Sequence, residues 1–196
     1  MAIPAQAGIQ ASCEKTSIMT ETPPSPDTSS PPPEGKDTPT LFILFYYALT
    51  VLILDQATKA MVQLYMPLFD VRVIVPGFFN LVHVRNTGAA FSVLAGPPTL
   101  WRHVFFIGIN VVAVGVIFYI HNSFKHRDLW PRRALGLILG GAVGNLADRI
   151  RLGEVVDFLD FHLGGYHWPA FNVADSAITI GCGILLVSLL RFQNRP

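Results

Sequence analysis

The chain has 196 residues, 51% of them hydrophobic and 14% charged, with a formal net charge of +1. A soluble domain carries about 25% charged residues, so this composition excludes an ordinary water-soluble fold and points to a single membrane-embedded domain. The near-neutral balance removes the electrostatic basis for binding nucleic acid, and no such partner is expected.

Residues 1–39 are rich in Pro, Ser and Thr, as in Pro23-Pro24-Ser25-Pro26 and Ser29-Ser30-Pro31-Pro32-Pro33. Such a composition cannot bury a core, and the segment reads as a disordered extension. No apolar stretch precedes Leu41, so it is not a signal peptide, and Met19 offers a second start. Cys13 lies in this tail and Cys182 in an apolar run, so no disulfide is expected. No Cys/His pair has metal-ligand spacing; neither a metal nor another cofactor is expected.

The first apolar run covers about 40–59, close to the roughly 20 residues a helix needs to cross a bilayer. It closes on Asp55 and Lys59, which are four apart and share a helix face. They read either as a neutralised pair at the membrane boundary or as a brace for a site. Residues 66–95 are not a clean span. Val71-Arg72-Val73-Ile74-Val75 and Phe79-Asn80-Leu81-Val82-His83-Val84-Arg85 are β-prone and flank the turn signal Pro76-Gly77. They predict an interfacial hairpin, which Asn86-Thr87-Gly88 ends.

A second span is predicted over about 101–120, with Trp101 and Tyr119 near its ends and Asn110 in its middle, placed for interhelical hydrogen bonding. Next comes Lys125-His126-Arg127-Asp128-Leu129-Trp130-Pro131-Arg132-Arg133, the densest basic cluster in the chain. The positive-inside rule puts it in the cytoplasm. Counting spans then places both termini there and puts the 66–95 segment and the 153–171 connection outside. A third span is predicted over about 134–152, where Gly136, Gly140 and Gly144 form a small-residue packing face. Asn145, Asp148 and Arg149 follow on its outer half, and Gly153 is a stop signal. The fourth span covers about 172–190, and 192–196 form a cytoplasmic tail.

Two acids flank the outer connection: Asp157 in Glu154-Val155-Val156-Asp157-Phe158, and Asp175 at the start of the fourth span. Adjacent carboxylates cannot both ionise readily, so one holds a proton that the other lacks. One can then take a proton from water while the other polarises a carbonyl, which is peptide hydrolysis without metal or covalent intermediate. Two other readings stay open. The acids can be helix-end residues, or they can mark a proton or cation route through a small transporter. Ser176, with His162 or His167, keeps a serine design in view. Gly-x-Ser-x-Gly and His-Glu-x-x-His motifs are absent from the sequence.

Five blocks in order carry a resemblance: Leu54-Asp55-Gln56-Ala57-Thr58-Lys59, Asn86-Thr87-Gly88-Ala89-Ala90-Phe91, Gly140 to Arg149, Val155-Val156-Asp157-Phe158, and Trp168 to Asp175. Together they resemble the signature blocks of bacterial lipoprotein signal peptidase, or signal peptidase II, over about 41–191. The resemblance implies an all-α polytopic membrane protein, four transmembrane helices with a small extracytoplasmic β-cradle, occupying 40–191. It implies an aspartic endopeptidase of the bacterial inner membrane, with its site near the periplasmic face. Such an enzyme removes signal peptides from prolipoproteins by cutting before a diacylglyceryl-modified cysteine. Prolipoprotein and membrane lipid are the implied partners, and a monomer is expected. By match to the blocks, Asp157 and Asp175 are the implied catalytic pair. Asn145, Arg149 and Asn172 are implied supports, and Asp55, Lys59, Asn86 and Gly88 have positioning or substrate roles.

Overall fold

The computed structural model describes residues 40–88, 99–123 and 129–193. The expected extension at 1–39, the end of the expected β-rich segment at 89–98, the basic residues Lys125 and Arg127, and tail residues 194–196 lie outside the described residues. Among the described residues there are four helices: α1 (Thr40–Tyr65), α2 (Leu100–Ser123), α3 (Leu129–Leu152) and α4 (Val173–Gln193). Four strands, β1 (Val71–Val75), β2 (Phe79–Asn86), β3 (Val155–Leu163) and β4 (Tyr166–His167), form an antiparallel sheet in sequence order.

The first helix runs one and a half turns past the predicted end at Lys59. Ala60 to Tyr65 contains good helix formers, and the first residue that cannot continue the helix is Pro67. Asp55 and Lys59 therefore lie inside the helix, not at its boundary. By length and apolar composition, α1, α2 and α4 can cross a membrane. The third is as long, but it carries Arg132, Arg133, Asp148, Arg149 and Arg151. It can do so because it packs against the other three helices, so much of its surface meets protein.

That packing is close. A methyl group on Gly140 would stand 2.5 Å from the Ala48 carbonyl oxygen of α1, and one on Gly144 2.6 Å from Asp55 Oδ2. Leu44, Ala48, Ile117, Leu135 and Leu139 form a buried cluster between α1, α2 and α3. At the other end Val62 and Met66 pack on Val156 and Phe158 of β3. Among the described residues Asn110 bonds within its own helix and not across helices: its Nδ2 donates to the Phe106 carbonyl at 2.7 Å.

The predicted hairpin is present as β1 and β2. Pro76 and Gly77 make its turn, with Gly77 at φ 75° and the Phe78 N–H donating to the Val75 carbonyl. Gly153 ends α3 at φ 79°. The stretch after it, expected as a plain connection, is strand β3, paired along its length with β2. Asp157 is thus carried by a strand and not by the end of a helix.

Candidate active site

A strand shows alternate side chains to opposite faces. In β3, Val156 and Phe158 point into the apolar cluster beneath the sheet, so Val155 and Asp157 point the other way. They line a cavity of about 410 Å³ that also receives Asn86, Asn145, Arg149 and Asp175. Trp168, Phe171 and Ile178 add apolar wall.

Asp157 is 2% exposed. Its Oδ1 accepts from Asn172 Nδ2 at 2.7 Å and its Oδ2 from Asn86 Nδ2 at 3.1 Å. The second bond follows from register. Val84 is opposite Asp157 and Asn86 opposite Val155, so Asn86 and Asp157 are diagonal neighbours across the ladder. Asn86 is itself fixed, because its Oδ1 accepts from the Gly88 N–H at 2.9 Å.

Asp175 arrives from α4. Asn172 is the residue before that helix, and its Oδ1 accepts from the Asp175 N–H at 2.9 Å. Asp175 Oδ2 accepts in return from the Asn172 N–H at 3.3 Å. This reciprocal pair is a capping box, so the carboxyl that faces the cavity also closes the helix end. Asp175 Oδ1 accepts from Asn145 Nδ2 at 2.8 Å. Asn172, fully buried, thus touches both acids.

Burial pushes the Asp157 carboxyl up to about 7, the nearby Asp175 carboxylate adds to this, and the Asn86 and Asn172 bonds and Lys59 oppose it. A carboxyl with that value changes protonation near neutral pH, as an acid–base group requires.

Behind the cavity is a buried ion cluster. Lys59 Nζ is 2.8 Å from Asp55 Oδ2, 2.8 Å from Asp148 Oδ2 and 3.0 Å from Asn145 Oδ1. The three ions are each no more than 1% exposed. Asp55 Oδ1 accepts from the Ala174 N–H of α4 and Asp148 Oδ2 from the Val156 N–H of β3. The Asp55–Lys59 pair read from spacing is therefore a brace, tying α1 to α3, α4 and the sheet. Arg149 bridges the Gly88 carbonyl at 3.0 Å and its own helix at the Asn145 carbonyl, and lies 5.3 Å over the Phe106 ring.

All nine sequence-predicted site residues are accounted for. Asp157, Asp175, Asn86, Asn145 and Arg149 meet at the cavity, Asn172 joins the two acids, Gly88 receives Arg149, and Asp55 and Lys59 stand behind. Sequence reasoning missed Gln56, whose Nε2 donates to Asp55, Asp148 and the Gly144 carbonyl. It did not join Asp148 to the Asp55–Lys59 pair, whereas Asp148 pairs with Lys59. The helical spacing from Asn145 to Asp148 was the available signal. The serine design fares poorly. The Ser176 hydroxyl donates to the Asn172 carbonyl, His167 pairs with Asp160, and His162 stacks on His167.

Residues 47–191 match the family model described as signal peptidase (SPase) II. The lipoprotein signal peptidase of Syntrophus aciditrophicus is 46% identical over 154 residues, covering 79% of this chain and 96% of that protein. That of Syntrophotalea carbinolica is 48% identical over 149 residues, covering 76% and 91%. Among solved structures, a bacterial membrane enzyme superposes with TM-score 0.70 at 34% identity, covering 79% of this chain and 91% of the other.

Proposed function

The chain belongs to the signal peptidase II family, and from that premise we propose that Asp157 and Asp175 are the reacting pair of a peptidase that removes signal peptides from prolipoproteins. The observation that carries this reading is the convergence of two acids, one from a strand and one from a helix end, on one cavity through a shared asparagine. One acid takes a proton from water as it attacks the scissile carbonyl, and the other supplies a proton to the carbonyl oxygen and later serves the leaving amine. The substrate is a prolipoprotein whose cysteine carries diacylglycerol, cut on the N-terminal side of that cysteine. The transporter reading of the same acids gains nothing from the family match.

In this reading α3 is the fourth membrane span, shielded by its neighbours, and the enzyme is a monomer of the bacterial inner membrane. The domain covers 40–191. The basic residues at the start of α3 face the cytoplasm with both termini. The sheet and cavity then lie at the periplasmic face, where the apolar strand β1, exposed along its length, meets lipid. A signal helix reaches the cavity sideways from the bilayer.

The test is direct. Purified protein in detergent, given a diacylglyceryl-modified prolipoprotein, releases the signal peptide. Asp157→Asn and Asp175→Asn each lose at least about a thousandfold in rate while keeping the native helix content. Full cleavage by either variant would remove that residue from the reaction.

A further inference from the structure

The two acids are not equivalent, and the geometry points to a fixed division of labour: Asp175 is the ionised member that draws the proton from water, Asp157 holds the proton that goes to the carbonyl oxygen, and Lys59 is the positioning residue that enforces this assignment through Asn145. This rests on the acid-pair reading above and adds the roles within it.

The groups around the pair come from five elements. Lys59 and Asp55 are on α1, Asp148 and Arg149 on α3, Asn86 on β2, and the acids themselves on β3 and α4. Lys59 is buried to 1% and does not line the cavity, so it does not reach a substrate. Its ammonium donates to Asn145 Oδ1 at 3.0 Å, and the same amide donates from Nδ2 to Asp175 Oδ1 at 2.8 Å. An amide whose oxygen faces a cation is a stronger donor on its nitrogen side. The positive field of Lys59 is thereby delivered to one oxygen of Asp175. The other oxygen accepts the Asn172 N–H at the N-terminus of α4, where the helix dipole favours negative charge.

Asp157 has no such relay and no helix N-terminus behind it, and feels Lys59 only at a distance. It lies on a strand, its donors are the neutral side-chain amides of Asn86 and Asn172, and it is almost fully buried, whereas Asp175 is half-buried. Deep burial opposes charge, and each Asp157 oxygen keeps a second lone pair on which a proton can sit. Its upward displacement to about 7 agrees with this arrangement.

The chemistry balances. As the water oxygen bonds to the carbonyl carbon, one water proton passes to Asp175 and the Asp157 proton passes to the carbonyl oxygen, giving a neutral diol. When the carbon–nitrogen bond breaks, Asp175 returns its proton to the amine nitrogen and one diol hydroxyl returns its proton to Asp157. Both acids end as they began.

Infrared spectroscopy of the full-length protein in detergent reads the proton directly, about one pH unit below the Asp157 midpoint. Asp175→Asn is expected to keep the neutral-carboxyl C=O band, because burial, the larger cause of the Asp157 displacement, remains after the neighbouring charge is gone. Asp157→Asn is expected to lose it. A band that survives in Asp157→Asn and vanishes in Asp175→Asn would overturn the assignment. The Lys59 role is read in the Asp157→Asn background. Adding Lys59→Met restores the band on Asp175, and adding Lys59→Arg leaves it absent; no band with Lys59→Met would remove Lys59 from the scheme. Where Lys59→Met does not fold, the two single variants still decide the assignment. Cleavage by either single variant is a separate outcome that sinks the acid pair itself.

Discussion

At the residue scale, the raised Asp157 carboxyl has a consequence for stability as well as chemistry. A carboxyl of about 3.9 in the unfolded chain and about 7 in the folded one binds a proton on folding. Its contribution is complete below about pH 4 and is lost as pH rises through about 7, because the folded state must then bury a charge. Asp157→Asn cannot ionise and escapes that loss. Measured by thermal unfolding in detergent, the variant is expected to gain about 2–3 kcal/mol on the native chain between about pH 5 and pH 8. An equal difference at both pH values would show that Asp157 titrates normally. The two acids and the Asp55–Lys59 pair were legible in the sequence because each is a charge with few structural reasons to be near a bilayer, whereas Asn86, Gly88 and Asn172 were legible as site residues only through the matched blocks. Gln56 was not, since a polar residue beside an ion pair looks like its solvation.

At the element scale, the close fit of α3 onto α1 decides what a single methyl does. On Gly144 it would press on Asp55 Oδ2, which cannot retreat because it holds Lys59 and the Ala174 N–H. Gly144→Ala is expected to cost about 1–3 kcal/mol and to lower cleavage, since the displaced brace also positions Asn145. Gly183→Ala, with open space around it, is expected to leave thermal midpoint and rate unchanged or slightly raised. Equal effects of the two would refute the packing argument. The helices were readable because apolar runs of bilayer length have one main physical solution. Strand β3 was not, although Val155 to Phe161 is as β-prone as the hairpin recognised upstream. Its role depends on pairing with β2, some 70 residues earlier, and pairing partners that distant leave no mark in local periodicity.

At the scale of the whole molecule, three helices have largely exposed apolar surfaces and one sits among them. The proposed four-span arrangement makes a measurable claim about Cys182, an exposed thiol near the middle of α4. With Cys13 replaced by Ser, a spin label on Cys182 in vesicles is expected to be relaxed by dissolved oxygen and not by a water-soluble nickel chelate. Strong relaxation by the chelate would place that surface in water and break the span assignment. Hydropathy gave the number of apolar runs but could not show that α3, with its charges, is the hub, because centrality is a property of the assembled bundle. Asp175 ties these scales together. In the proposed mechanism it reacts, and it also fastens the first turn of α4 through its bonds with Asn172. A heritable change that let the cell evade an inhibitor gripping this carboxylate would loosen the helix with the same stroke, so resistance arising there would bring its own structural handicap.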